Sequence, residues 1–94
     1  HCHHVPIMDG PRLVGIVSRQ DLHEALLQHG KRAENLRAGD VCTPDPLTVP
    51  PTATLVEVAR QMVARGVGSA LVTDGGVLVG IFTSSDALGL IARL

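Results

Sequence analysis

The sequence predicts a small mixed α/β (α+β) fold: one complete β-α-β-β-α unit preceded by the β-β-α half of another. Three observations carry this. The segment 1–29 lies over 66–94 without a gap at an offset of 65, so that Asp9-Gly10 meets Asp74-Gly75 and Leu13-Val14-Gly15-Ile16 meets Leu78-Val79-Gly80-Ile81. Each copy has a β-rich run leading into Asp-Gly, a strong hairpin signal. Each return run then meets a hydroxyl residue, Ser18 or Thr83, at a natural helix N-cap, with Asp21 or Asp86 three residues on. The matching segments divide the chain into the second half of a first repeat at 1–29, a polar linker at 30–35 and a complete second repeat at 36–94.

Element by element, Val5–Met8 and Ser69–Thr73 read as strands and Arg12–Val17 and Val77–Phe82 as their return strands. The return runs are continuous enough in apolar residues to be buried on both faces. Helices follow over Arg19–His29 and Ser84–Ala92. Pro44, Pro46, Pro50 and Pro51 hold 41–51 extended around a short strand, Leu47–Val49. Thr54-Leu55-Val56-Glu57 fits a capping box, and Leu55, Val58, Ala59, Met62 and Val63 share one face of the helix it opens. Gly66 stands where a left-handed C-terminal cap belongs.

Composition narrows the function classes. At 94 residues and 45% hydrophobic the chain is one domain's worth, with a thin core that buries about 60–65% of the unfolded surface. One aromatic, Phe82, leaves no platform for stacking bases, and a net charge of -1 suits no phosphate backbone, so no direct nucleic-acid contact is expected. No apolar run approaches the roughly 18 residues of a membrane span. Two cysteines make no disulfide framework, which points to a reducing cytoplasm. There is no Walker A motif and no Gly-x-Ser-x-Gly elbow, and acids do not pair at catalytic spacing, so the chain does not read as an enzyme. His1-Cys2-His3-His4 holds soft metal ligands, but neighbours on an extended chain point to opposite faces, and no metal site is expected. Cys42, alone among extended residues, reads as a small buried hydrophobe.

The repeated strand-to-helix junction is the feature able to carry chemistry. It reads Gly15-Ile16-Val17-Ser18-Arg19-Gln20-Asp21 in one copy and Gly80-Ile81-Phe82-Thr83-Ser84-Ser85-Asp86 in the other. The hydroxyl and the free N–H groups of a helix start favour an anion, and the Asp can accept two hydrogen bonds from the vicinal hydroxyls of a ribose. The same residues make a capping box that needs no ligand, although Glu or Gln reaches back better than Asp.

In order and spacing these residues resemble a CBS domain, the ligand-sensing module named after cystathionine β-synthase. The likeness runs through Ala38-Gly39-Asp40-Val41-Cys42-Thr43, then Leu47-Thr48-Val49, Thr54-Leu55 with Ala59 and Met62, Gly68–Asp74, Leu78-Val79-Gly80-Ile81 and Thr83-x-x-Asp86. Cys42 stands where Met is usual and Leu71 where Pro is common. The resemblance implies tandem units and a regulatory, allosteric function, with AMP, ADP, ATP or S-adenosylmethionine bound in a cleft between repeats. It implies ribose at Asp21 and Asp86, phosphate or ribose at Ser18 and Thr83, and an adenine wall from Val41, Cys42 and Thr43. Arg19 could reach a phosphate; its counterpart Ser84 could not. Taking Val41–Thr43 as the wall of the Asp86 cleft favours Thr83/Asp86 as the working pair.

The competing reading is a non-catalytic interaction domain that binds no nucleotide. The last helix, Ala87-Leu88-Gly89-Leu90-Ile91-Ala92, is apolar nearly all round and needs cover on every face. A homodimer through helix 84–92, with Leu22, Ala25 and Leu26, would supply it, and Leu90→Glu would then give monomers or insoluble protein.

Overall fold

The structure is a computed structural model and describes residues 4–93, apart from the side chain of Leu90. The chain divides into two compact units, His1–Pro46 and Leu47–Leu94.

In the first unit β1 (His4–Asp9) and β2 (Arg12–Ser18) form an antiparallel hairpin with Val5 opposite Val17 and Pro6 opposite Ile16. Ile16 and Val17 are buried, and β-branched side chains suit such a pleated, covered surface. The helix α1 (Arg19–His29) starts directly from Ser18. Segment 30–35 is no loose linker. It continues as a 3-10 helix, Gly30–Asn35, whose middle four residues, Lys31 to Glu34, are good helix formers. Residues three apart eclipse in such a helix, which aligns Ala33 with Leu36, just beyond its end.

Residues 38–44 depart further from an extended chain. Ala38–Val41 is a one-turn helix, α2, and Thr43–Pro44 is a strand, β3, antiparallel to β2 with Gly15 opposite Pro44 and Ile16 opposite Thr43. The turn is held by Arg37 N–H donating to Asp40 Oδ2 at 2.8 Å. Any residue type but proline can donate that bond, so Arg37 leaves no capping signature in the sequence. Pro44 costs no ladder bond on a strand at the sheet edge. The sheet order is β1-β2-β3, with β2 in the middle. The opening of the second repeat therefore folds in the same unit as the preceding half-repeat.

In the second unit β4 (Thr48–Val49) runs parallel to β5 (Ser69–Asp74), with α3 (Leu55–Arg65) as the crossover a parallel pair requires. β6 (Val77–Thr83) returns antiparallel to β5 through the Gly75-Gly76 turn, and α4 (Ser84–Arg93) follows. The core joins Leu47, Val49, Val58, Met62 and Ala70, with Val67, Val72 and Phe82 packed on it. Ala70 and Leu71 point to opposite faces of β5 and are 0% and 1% exposed, so the central strand is covered on both sides.

Two expectations fail here. β6 is not buried on both faces: Val77 and Val79 are exposed, because β6 is the edge of the order β4-β5-β6, whereas its repeat counterpart β2 is central. The apolar face of α3 is also narrower than its spacing suggests, with Val58 and Met62 buried but Leu55 and Val63 exposed.

The Thr54 box is formed as its spacing predicts: Thr54 Oγ1 accepts from Glu57 N–H at 3.2 Å, and Glu57 Oε2 accepts from Thr54 N–H at 3.1 Å. Gly66 closes α3 in the left-handed conformation at φ 66°. Thr54→Ala should lower the unfolding free energy by about 1 kcal/mol in a urea titration. Among the described residues no helix is long and apolar enough to cross a membrane.

Candidate functional site

Both strand-to-helix junctions fold as capping boxes. Ser18 Oγ accepts from Asp21 N–H at 3.1 Å, and Asp21 Oδ2 accepts from Ser18 N–H at 2.7 Å. Thr83 Oγ1 accepts from Asp86 N–H at 3.2 Å, while Asp86 Oδ2 accepts from Thr83 N–H at 2.9 Å and from the Thr83 hydroxyl at 3.0 Å. Asp is therefore long enough to reach back in both, and its being shorter than Glu lends the ligand reading no support.

What separates the junctions is a third residue. Thr43 donates its hydroxyl to the Asp21 carboxylate, 3.2 Å from Oδ1 and 3.4 Å from Oδ2. Asp86 has no such long-range partner among the described residues. The wall expected from Val41–Thr43 thus sits in one unit with Ser18 and Asp21, while Thr83 and Asp86 lie in the other. This contact sets Thr43, the last residue of that wall, against Asp21. The physical reason is the β2–β3 pairing, which carries 43–44 onto the strand that ends at Ser18.

Gly15 makes this seating possible. A Cβ built on it would lie 2.6 Å from the Thr43 carbonyl oxygen and 2.9 Å from Cys42 Sγ, far inside any real contact. A Cβ on Gly80 would meet nothing within 4 Å. Cys42 is half-buried, and its thiol donates to Gly39 O at 3.5 Å. Arg19 is exposed at the first position of α1.

The first unit also holds a cavity of about 290 Å³. Val5 and Ile7 reach it from alternate positions of β1, Val17 from β2 and Leu22 from α1. Ala33, Leu36, Arg37, Ala38 and Val41 close it from the 3-10 helix and α2. Its walls are aliphatic apart from Arg37. The volume sits at the small end of the roughly 300–1,000 Å³ of small-molecule sites, enough for a planar base. Only Val41 among these residues is a sequence-predicted site residue. The i, i+2 spacing of Val5 and Ile7 and the i, i+3 spacing of Ala33 and Leu36 are weak signals for those four, and the others carry none. Leu22 and Val41 are chain neighbours of Asp21 and Cys42, so the cavity and the Asp21–Thr43 bond share one region of the unit.

No group of three or more His, Cys, Asp or Glu among the described residues is placed to hold a metal ion. His1, Cys2 and His3 lie outside the described residues.

The CBS-domain family model matches residues 1–28 and 38–93, the two repeat segments. The chain belongs to the CBS-domain family. Proteins carrying CBS domains are generally regulatory or signal-transduction proteins, and this chain is such a regulatory module. It is 38% identical over 84 residues to an inosine-5'-monophosphate dehydrogenase of Korarchaeum cryptofilum, covering 87% of this chain but 16% of that enzyme. Among solved structures it resembles the CBS domain pair of protein MJ0100, in complex with 5-methylthioadenosine and S-adenosyl-L-methionine. That match has 30% identity and a TM-score of 0.82, covering 97% of this chain and 71% of the other. It also resembles CBSX2 in complex with AMP, at 29% identity and a TM-score of 0.75, covering 98% and 72%. The mixed α/β fold of these structures is the fold seen here.

Proposed function

We propose that this CBS chain is a regulatory module whose first unit binds an adenosine-type ligand, with the base in the aliphatic cavity and the ribose at Asp21. The observation that carries the reading is the Thr43 hydroxyl on the Asp21 carboxylate, in the unit that holds that cavity. A carboxylate offers about four lone-pair sites, and the Ser18 N–H and the shared Thr43 O–H leave capacity for a vicinal diol. A diol at Asp21 shares its carboxylate with the Thr43 hydroxyl. Binding is thereby coupled to the seating of β3, which is the allosteric step the function requires. Ser18 and Arg19 stand at the helix start, where N–H groups and a cation favour a phosphate. The complexes of related CBS proteins with AMP, 5-methylthioadenosine and S-adenosyl-L-methionine support this ligand class. Thr83 and Asp86 act in this reading as a helix cap.

Thermal unfolding with and without AMP tests the proposal. At about 100 times the dissociation constant, AMP should add roughly 2.7 kcal/mol of stability. A melting curve unmoved by AMP, 5-methylthioadenosine and S-adenosylmethionine alike contradicts it.

A second reading, self-association, is favoured by one observation. Leu88 and Ile91, three residues apart and on one side of α4, are 67% and 64% exposed, and Leu22 and Leu26 of α1 are also exposed. Each such side chain buried in a dimer contributes roughly 1.5–3 kcal/mol. The side chain of Leu90 lies outside the described residues, so Leu88→Glu is the apt variant. Sedimentation should give a dimer for the wild type and a folded monomer for Leu88→Glu; a wild-type monomer at high micromolar concentration rules this reading out.

A further inference from the structure

We propose that Arg37 makes the cavity of the first unit select adenosine ligands that carry a phosphate over uncharged or cationic ones. This rests on the adenosine reading above and adds the charge class of the ligand.

Among the described residues Arg37 is the one charged residue lining a cavity whose other walls are Val, Ile, Leu and Ala. Its backbone is pinned at the start of α2 by the 2.8 Å bond to Asp40 Oδ2. Among the described residues its guanidinium has no carboxylate within ion-pairing distance, in contrast to Arg12, which lies 3.7 Å from Asp9. Arg37 is also exposed to solvent, so its charge favours an anionic ligand by an amount that added salt screens. The planar guanidinium fork also matches the oxygens of a phosphate, which can take two parallel N–H bonds. A neutral thioether nucleoside offers it nothing comparable, and a sulfonium is repelled. Arg19 lies outside the cavity lining, and a phosphate held by it at the start of α1 instead would leave AMP binding unchanged in Arg37→Gln and overturn the inference.

Two other roles for Arg37 give different results. A side chain that covers the wall with its aliphatic stem, or stacks its guanidinium on the adenine ring, strengthens every adenosine ligand equally. The experiment is titration calorimetry of the full chain with AMP, 5-methylthioadenosine and S-adenosylmethionine, in the wild type and in Arg37→Gln. The wild type should bind AMP at least about tenfold more tightly than 5-methylthioadenosine, the preference shrinking as salt is raised. Arg37→Gln should lose about tenfold in AMP affinity and stay within about twofold for 5-methylthioadenosine. Equal wild-type affinities for AMP and 5-methylthioadenosine overturn the inference, whatever the variant does. So does an Arg37→Gln variant that weakens both ligands in the same proportion. In either case the adenosine reading survives. No binding of any of the three overturns both.

Discussion

Gly15→Ala should destabilise the protein by about 1–3 kcal/mol, while Gly80→Ala, at the repeat-equivalent position, should change stability little or raise it by up to about 1 kcal/mol. The two glycines share the sequence Leu-Val-Gly-Ile, and neither has a positive φ. Local sequence therefore gives no reason for them to differ. The difference comes from what faces them. A methyl at Gly15 meets the Thr43 carbonyl oxygen at 2.6 Å and its carbonyl carbon at 3.2 Å, both backbone atoms. They have little room to move, because Ile16 pairs with Thr43, Gly15 with Pro44, and the Thr43 side chain is tied to Asp21. Rotating a side chain does not relieve the clash; β3 has to shift. At Gly80 the space is open, and the added methyl mainly lowers the entropy of the unfolded chain. Urea denaturation of both variants measures the contrast. Equal losses at the two positions would show that β3 does not seat on Gly15.

Asp21→Ala should weaken AMP binding by about ten- to hundredfold, while Asp86→Ala should leave it unchanged. Hydrogen bonds to a charged carboxylate contribute roughly 1.5–3 kcal/mol each, and tenfold in affinity is about 1.4 kcal/mol. Both variants keep the Ser18 or Thr83 cap and lose the reach-back half of a capping box, so both should lose about 1 kcal/mol of ligand-free stability. Stability alone therefore cannot separate the two aspartates; the ligand does. Asp21 is half-buried and already engaged by a hydroxyl from 22 residues away, which shows that an O–H donor fits there. Asp86 is exposed, and its Oδ2 takes both the N–H and the hydroxyl of its own cap residue. Calorimetric titration of both variants with AMP decides the matter, and an Asp86→Ala that binds as weakly as Asp21→Ala would contradict the assignment.

Most of the fold was legible because its signals are local. The hydroxyl and acid of each capping box, the glycine that closes α3 and the alternating runs of the two hairpins each act within a few residues. The failures are non-local. Val77–Phe82 and Arg12–Val17 look alike in sequence, yet one lies at the edge of its sheet and the other at the centre. That depends on whether a further strand pairs alongside, which no short window records. Residues 30–41 were harder still. Their helical turns rest on a backbone N–H to Asp40 and on an apolar pair at i, i+3, signals too weak beside the prolines and charges around them. The site follows the same pattern. Ser18 and Asp21 could be named from their spacing, and Val41 and Thr43 through the family resemblance. That Thr43 lies against Asp21 could not be read, because it follows from β3 pairing with β2 across the 3-10 helix. The aliphatic lining and Arg37 escaped notice for a related reason: they come from five separate elements, and none has a composition that stands out.

The most direct measurement is the affinity of AMP and of 2′-deoxy-AMP for the wild type and for Asp21→Ala by titration calorimetry. If Asp21 holds the ribose diol, removing the 2′-hydroxyl should cost the wild type about tenfold or more and cost Asp21→Ala almost nothing further. Equal binding of the two nucleotides by the wild type, or the same deoxy penalty in both proteins, would contradict a ribose site at Asp21.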